Sequence, residues 1–315
     1  GDYKVVIFGH GTGGDVSDSS FDTLMTDKGA MKLGLEFDGW TEKTLGSTLV
    51  GLATPLKGGD RTAARIVESL AGSSAILAAL DGILGDLLSA ETIGGLANPA
   101  AGRRPDASDP VWAGGSLGGI MGLIFSHIEP SIIGGVLNVP GSGFSHWLPA
   151  SELYTVLKLA LEDRYEGAQG LSLIMAMAQT LFDPMDGAVW VEPSDKVFLV
   201  QMSVGDPVVP NVGSNLVATS LNAVHLGVAI EPIVGLELVD KAVGVSAVTQ
   251  FLVAADTPYG IHGFTATNTA SGHAARQQFI DFVQTVWAGE PVIDVPTACQ
   301  ENTPPNSCDF KNTTP

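Results

Sequence analysis

The sequence predicts an α/β fold: a mostly parallel central sheet with helices on both faces and an inserted helical cap. Three observations carry this expectation. Short β-branched runs alternate with longer stretches of helical periodicity, glycine clusters follow two of those runs directly, and residues 141–190 contain no strand-like run at all.

Taken in order, residues 4–8 form a β-branched run ending in a glycine cluster, which reads as a buried strand entering a loop. Residues 33–37 are a second strand candidate, closed by Asp38-Gly39. Residues 62–80 place Ile66, Leu70, Ile76, Leu77 and Leu80 at helical spacing, and residues 98–110, rich in Pro, Gly and charge, read as a surface loop. A brief strand at 111–113, a helix at 117–127 and a buried strand at 132–139 follow. Residues 153–161 and 171–181 are apolar-faced helices of the cap. Strands at 196–204 and 248–254 enclose a helix near 215–221, and an amphipathic helix at 274–287 ends the pattern. The expected organisation is a core of residues 1–140 and 191–290, a helical cap of 141–190 and a C-terminal tail of 291–315, with no internal repeat.

The chain has 315 residues, enough for a large core. Its 34 acidic against 15 basic residues give a net charge of -19, which repels phosphate backbones, so nucleic acid is not an expected partner. Only 16% of residues are charged, and the mean hydropathy is +0.26, so part of the surface is expected to meet apolar material. Gly, Pro or a charge interrupts every long apolar run, so no stable membrane insertion is expected. The chain opens at Gly1-Asp2-Tyr3 without a basic and apolar leader, as expected where a signal peptide has been removed or never existed. Cys299 and Cys308 flank a Pro/Asn/Thr-rich segment that closes easily into a disulfide in an oxidising compartment, the alternative being two exposed thiols in a disordered tail. Asn312-Thr313-Thr314 is a glycosylation sequon.

Gly114-Gly115-Ser116-Leu117-Gly118 fits G-x-S-x-G between a short strand and a helix. A nucleophilic serine needs small neighbours there, because the strand-to-helix turn that lifts its hydroxyl clear of the sheet leaves no room for side chains. The other reading is an ordinary turn in a chain with 39 glycines. The amide of Leu117 is a candidate oxyanion donor, and the loop of residues 9–14 offers a second from Gly11 or Thr12. His10 in that loop either orders it or packs at the strand end. Asp206, in Gly205-Asp206-Pro207, is the candidate acid, although locally it also reads as an Asp-Pro turn initiator; Asp256 is the alternative acid. His262, flanked by Gly260 and Gly263, is the candidate base and His273 the alternative base. His127 reads as a packed helix residue, His146 beside Trp147 as a candidate pocket residue, and His225 has no assigned role. No HExxH, paired-His or Cys/His cluster occurs at ligand spacing, so no metal is expected.

Taken together, Val5-Val6-Ile7-Phe8-Gly9-His10-Gly11, Gly115-Ser116-Leu117-Gly118-Gly119-Ile120, Gly205-Asp206-Pro207-Val208-Val209-Pro210 and Ile261-His262-Gly263 resemble the motifs of bacterial α/β-hydrolase lipases and esterases. Ser-Leu-Gly-Gly-Ile, with His-Gly ahead of a Gln-rich last helix, is similar to large extracellular or surface lipases of Gram-negative bacteria. The resemblance implies an α/β-hydrolase fold, a Ser116-Asp206-His262 triad, an acyl-enzyme intermediate and no cofactor. It also implies a secreted or cell-surface enzyme, extracellular or periplasmic, acting on an apolar ester: a lipid, a short ester or an aliphatic polyester. One departure is that the fold usually places two or more strands before the oxyanion loop, whereas this chain begins almost on that strand. Another is Gly114 where a histidine is familiar.

Two rival readings stand beside this one. Gly9-x-Gly11-x-x-Gly14 after a strand satisfies a dinucleotide fingerprint, with Glu36 or Asp38 near the ribose-binding acid of a nicotinamide-dependent oxidoreductase. Against it, Asp15, Asp18 and Asp22 crowd the place a pyrophosphate would occupy. The second rival is a catalytically inactive binding protein on the same fold. Peptidases and acyltransferases share the triad, and an apolar cap, with Leu181 and Phe182 beside the run 171–177, favours an apolar acyl group over a charged peptide.

Overall fold

The structure, a computed structural model, describes residues 3–19, 22, 28–255 and 257–311. Its strands are β1 (Tyr3–Gly9), β2 (Ala30–Leu35), β3 (Thr92–Ile93), β4 (Leu96–Ala97), β5 (Pro105–Gly115), β6 (Gly134–Asn138), β7 (Val197–Ser203), β8 (Val224–Leu226), β9 (Leu238–Val239), β10 (Lys241–Val243), β11 (Ala247–Phe251) and β12 (Val292–Asp294). Eight of them form one sheet in the order β2-β1-β5-β6-β7-β11-β8-β9, and every neighbouring pair is parallel.

The helices are α1 (Leu45–Leu52), α2 (Pro55–Leu80), α3 (Ile83–Leu88), α4 (Leu117–Ile128), α5 (Phe144–Trp147), α6 (Thr155–Arg164), α7 (Ala168–Phe182), α8 (Gly187–Trp190), α9 (Asn211–Ser220), α10 (Pro258–His262), α11 (Ala270–Trp287) and α12 (Thr297–Gln300). The pleat sorts side chains into two cores, since alternate residues point to opposite faces. Val5, Ile7 and Trp112 join Ile66 and Leu70 of α2 and Met121 and Phe125 of α4 on one face. Val6, Val111 and Ala113 join Phe279, Phe282 and Val286 of α11 on the other. Each buried Val, Leu, Ile, Phe or Met among them contributes about 1.5–3 kcal/mol. By length and composition α2 could cross a membrane. Its stripe of Ile66, Leu70, Leu77 and Leu80 is nonetheless buried, the pattern of an amphipathic helix that turns one face to the core.

Between β6 and β7 the described chain forms only helices, α5 to α8 and three single-turn 3₁₀ segments, and these make the inserted helical layer. It is anchored to the turn after β7: the amide of Glu152 donates to the Pro207 carbonyl at 2.9 Å, and the Ser151 hydroxyl to that of Val208 at 2.6 Å.

Several expectations are corrected. Residues 98–110 are not one surface loop, because β5 begins at Pro105. Tyr3 and Lys4 pair with Pro105 and Asp106, and the register shifts before Val6 meets Val111. Charge holds that extension, Lys4 Nζ lying 2.8 Å from Asp106 and 3.3 Å from Asp109, so no apolar period betrays it. The second strand lies at Ala30–Leu35 and not at 33–37. Strands β8 and β9, three and two residues long, are too short to show any alternation. Residues 292–311 do not form a tail: β12 pairs with β10, the Phe310 amide donates to the Leu252 carbonyl at 2.8 Å, and Ile293, Cys299 and Phe310 are buried. Cys299 and Cys308 are joined as a disulfide within that packed segment, their Cα atoms 4.6 Å apart. Asp256 and the Asn312 sequon lie outside the described residues.

Candidate active site

Strand β5 ends in the middle of the sheet and turns at once into α4. Ser116 occupies that turn at φ 56° and ψ -121°, a conformation a side-chain-bearing residue holds only when its surroundings enforce it. The enforcement is local. The Ser116 amide donates to the Asn138 carbonyl at 2.9 Å, and the Ile120 amide donates to the Ser116 carbonyl at 3.0 Å. A Cβ on Gly118 would sit 1.9 Å from the Gly9 carbonyl oxygen, and one on Gly114 2.5 Å from that of Gly118. Glycine at these positions lets α4 press against the end of β1, which brings the loop after β1 beside Ser116.

That loop is ordered by His10, which is completely buried. The Phe37 amide donates to its Nε2 at 3.1 Å, so the ring proton sits on Nδ1, which donates to the Gly11 carbonyl at 2.7 Å. The imidazole thus fixes the backbone at Gly11. A Cβ on Gly11 would lie 3.7 Å from that of Ser116, and Thr12 lines the same cavity as Ser116 and Leu117, so the residues of the three candidate oxyanion donors lie beside the serine. Residues 14–19 are turn and irregular chain, so the glycine run does not open a helix as a dinucleotide fold requires.

The turn after β7 carries Asp206, only 4% exposed. Its Oδ1 accepts from the amides of Val208 at 2.8 Å and Val209 at 3.1 Å. Asn211 latches the turn, accepting from the Gly205 amide and donating to the Ser203 carbonyl, both at 2.7 Å. Asp206 Oδ2 is thereby aimed at His262, whose Nδ1 donates to it at 2.7 Å. His262 ends α10, a short helix capped by the Thr257 hydroxyl. Its Nε2 is buried with no hydrogen-bond partner among the described residues, and the ring lines the cavity that also exposes Ser116.

His273, the alternative base, lies elsewhere. It is exposed at the start of α11, its Nε2 donating to Asn268 Oδ1 at 2.7 Å and its Nδ1 accepting from Arg276 at 3.1 Å. His146 is exposed and lines neither cavity at Ser116, whereas its neighbour Trp147 does. His127 donates to the Leu123 carbonyl at 2.7 Å and stacks on Phe198, and burial pushes its pKa down. His225, 1% exposed in β8, is likewise pushed down by burial.

Ser116 stands between two cavities. One, of about 160 Å³, is lined by His262, Asp18, Asn138, Thr265 and Gly11. The other, of about 140 Å³, is walled by apolar side chains including Trp40, Leu52, Ile120, Phe144, Trp147 and Phe182. Asp186, 1% exposed, secures that second wall: it accepts from the amides of Gly143 at 2.7 Å and Phe144 at 3.2 Å and from Gln179 at 2.9 Å. Neither Asp186 nor Asn138 was singled out in the sequence. Asp186 carries the signal of a helix N-cap before α8, and Asn138 that of a polar residue ending an apolar strand at the ligand-binding edge of a parallel sheet. No group of three or more His, Cys, Asp or Glu side chains able to hold a metal occurs among the described residues.

No protein-family model and no curated protein matches the sequence. Solved structures do share its fold. Acetyl xylan esterase 1 from Thermoanaerobacterium sp. JW/SL YS485 matches with a TM-score of 0.53 at 12% identity, over 89% of this chain and 74% of that one. The acetyl xylan esterase from Paenibacillus sp. R4 matches with 0.54 at 14% identity over the same shares, 89% and 74%. Pyrococcus horikoshii acylaminoacyl peptidase matches with 0.52 at 13% identity, over 89% of this chain but 37% of its own. The architecture is the α/β-hydrolase fold.

Proposed function

We propose, for a chain with the α/β-hydrolase fold, that it is a serine carboxylic-ester hydrolase in which Ser116, His262 and Asp206 act as nucleophile, base and acid. One observation supports this above the others: Asp206 orients His262 at 2.7 Å, while the far nitrogen of the ring is buried, unpartnered and on the same cavity as a serine in a strained turn. In this reading Ser116 Oγ attacks the ester carbonyl carbon and His262 Nε2 takes the hydroxyl proton. The Leu117 amide, with that of Gly11 or Thr12, holds the resulting oxyanion. Collapse expels the alcohol, which takes the proton from His262, and water then repeats the sequence to release the acid. Asp206 fixes the tautomer throughout and stabilises the imidazolium.

Because His262 must protonate the departing oxygen, the cavity it lines receives the alcohol and the apolar one the acyl group. The apolar walls favour an apolar acyl chain of a lipid, short ester or aliphatic polyester. A secreted or cell-surface location is supported by the disulfide of the C-terminal segment. Esterases among the structures of like fold are consistent with this chemistry.

The test is the intact mass after incubation with a fluorophosphonate, which forms an adduct only on an activated serine. One adduct, absent in Ser116→Ala, is the expected result. No adduct on the unaltered protein, or an adduct that persists in Ser116→Ala, overturns the assignment.

A further inference from the structure

From the cavity beside His262 runs a chain of buried amides that the hydrolytic reading does not use. Thr265, in the turn just after His262, donates its hydroxyl proton to Asn138 Oδ1 at 3.2 Å. Asn138 Nδ2 donates to Gln201 Oε1 at 3.3 Å, and Gln201 Nε2 to Gln278 Oε1 at 3.0 Å. Gln278 Nε2 then donates to the Asp294 carbonyl at 3.0 Å and to the Thr249 hydroxyl at 2.8 Å. Asn138, Gln201 and Gln278 are each less than 5% exposed.

The direction of this relay is fixed at its far end. A backbone carbonyl only accepts, so Gln278 must turn its amino group to Asp294, and its oxygen is left facing Gln201. The Ala275 carbonyl, 2.8 Å from Gln201 Nε2, imposes the same orientation independently. Gln201 Oε1 therefore faces Asn138, Asn138 Oδ1 faces Thr265, and the Thr265 proton is committed to Asn138. Reversing any one amide would set two acceptors against each other in a buried site, which costs about 1–3 kcal/mol per unsatisfied group. What Thr265 presents to the cavity is lone pairs. Apart from Ser116, His262 and Asn138, the other polar side chain lining that cavity is Asp18, whose carboxylate also accepts.

We propose that Thr265 is a specificity-determining residue that selects esters whose leaving alcohol carries a second hydroxyl close to the ester oxygen, as glycol, glycerol and sugar esters do. The proposal rests on the hydrolase reading above, because His262 defines this cavity as the alcohol side. A hydroxyl there donates to Thr265, whereas an alkyl group leaves the threonine oxygen unpaired and an ether oxygen meets it lone pair to lone pair.

The experiment measures kcat/KM for the 2-hydroxyethyl, n-propyl and 2-methoxyethyl esters of one short fatty acid, after the fluorophosphonate adduct has been verified. Expected is a preference of about tenfold for hydroxyethyl over propyl, the value of one hydrogen bond worth about 1.4 kcal/mol, with methoxyethyl lowest. Thr265→Val should bring the hydroxyethyl-to-propyl ratio to about one, and Thr265→Ser, which keeps the acceptor, should retain it. Equal turnover of all three esters overturns the proposal, as does a preference that survives Thr265→Val and so belongs to Asp18. A methoxyethyl preference reverses the relay and overturns it too. Absence of the adduct on the unaltered protein defeats the hydrolase reading instead, so the two failures are distinguishable.

Discussion

The two sides of Ser116 are built by different physics. On the side of His262 the structure is directional: Asp206 and His262, 56 residues apart, and Asn138 and Thr265, 127 residues apart, are held by hydrogen bonds, and Asn211 latches the Asp206 turn locally. On the other side it is volumetric: Phe144, Trp147 and Phe182 pack ring against ring, with centroids 5.2 and 5.8 Å apart, and Asp186 pins the backbone that carries Phe144. Hydrogen bonds set where a proton travels, and packing sets how much room an acyl chain has. The two sides should therefore fail differently.

The largest expected effect tests the directional side. Asp206→Asn keeps an oxygen for the Val208 and Val209 amides but turns an NH₂ toward His262, which enforces the wrong tautomer. Ester turnover should drop by about 10³–10⁴-fold, in keeping with the loss seen when such an acid is replaced, while the thermal midpoint moves little. A large loss of stability with modest loss of rate would erase the contrast between the sides. Next comes the packed side. Phe182→Ala removes a fully buried ring from α7, and calorimetry should register a loss of about 3–5 kcal/mol, with Ser116 still labelled by the fluorophosphonate at low temperature. Loss of labelling in a protein that is still folded would mean the apolar wall also sets catalytic geometry.

A smaller effect comes from pH. Burial holds the folded-state pKa of both His127 and His225 below the ordinary histidine value, so the unfolded chain binds protons that the native one refuses. Their contribution to stability is fully present above the unfolded value of about 6.5 and is lost as pH falls through the lower folded values. Denaturant midpoints should decline across that acid window, and His225→Gln should flatten the decline; an unchanged slope would exclude His225 as a contributor. The smallest effect is expected at His273→Ala, within about twofold in rate, because its ring is turned to Asn268 and Arg276. Inactivity of that variant alongside an active His262→Ala would transfer the base to His273.

The same contrast explains what was legible in the sequence. The serine turn announces itself because its geometry tolerates only small residues, and Asp206 and His262 follow strands whose apolar runs are plain. The packed helical layer shows in its periodicity. Hidden were features that depend on distant partners. Asn138, Gln201 and Gln278 are ordinary polar residues until the sheet and α11 bring them together. The outer strands β8 and β9 are too short to pattern, and the first part of β5 is held by Lys4 against two aspartates. The final segment reads as polar filler, although Ile293, Cys299 and Phe310 fasten it to the sheet.

The position of β11 has one more consequence. It lies between β7 and β8, and β8 touches the sheet through it alone on that side. In chain order β8 and β9 both precede β11, so the edge they form can join the rest of the sheet only through a strand that comes after them. The segment that completes this edge is directly followed by the chain that bears His262. The strand that ties the sheet's far edge to its centre is therefore also the support from which His262 is hung.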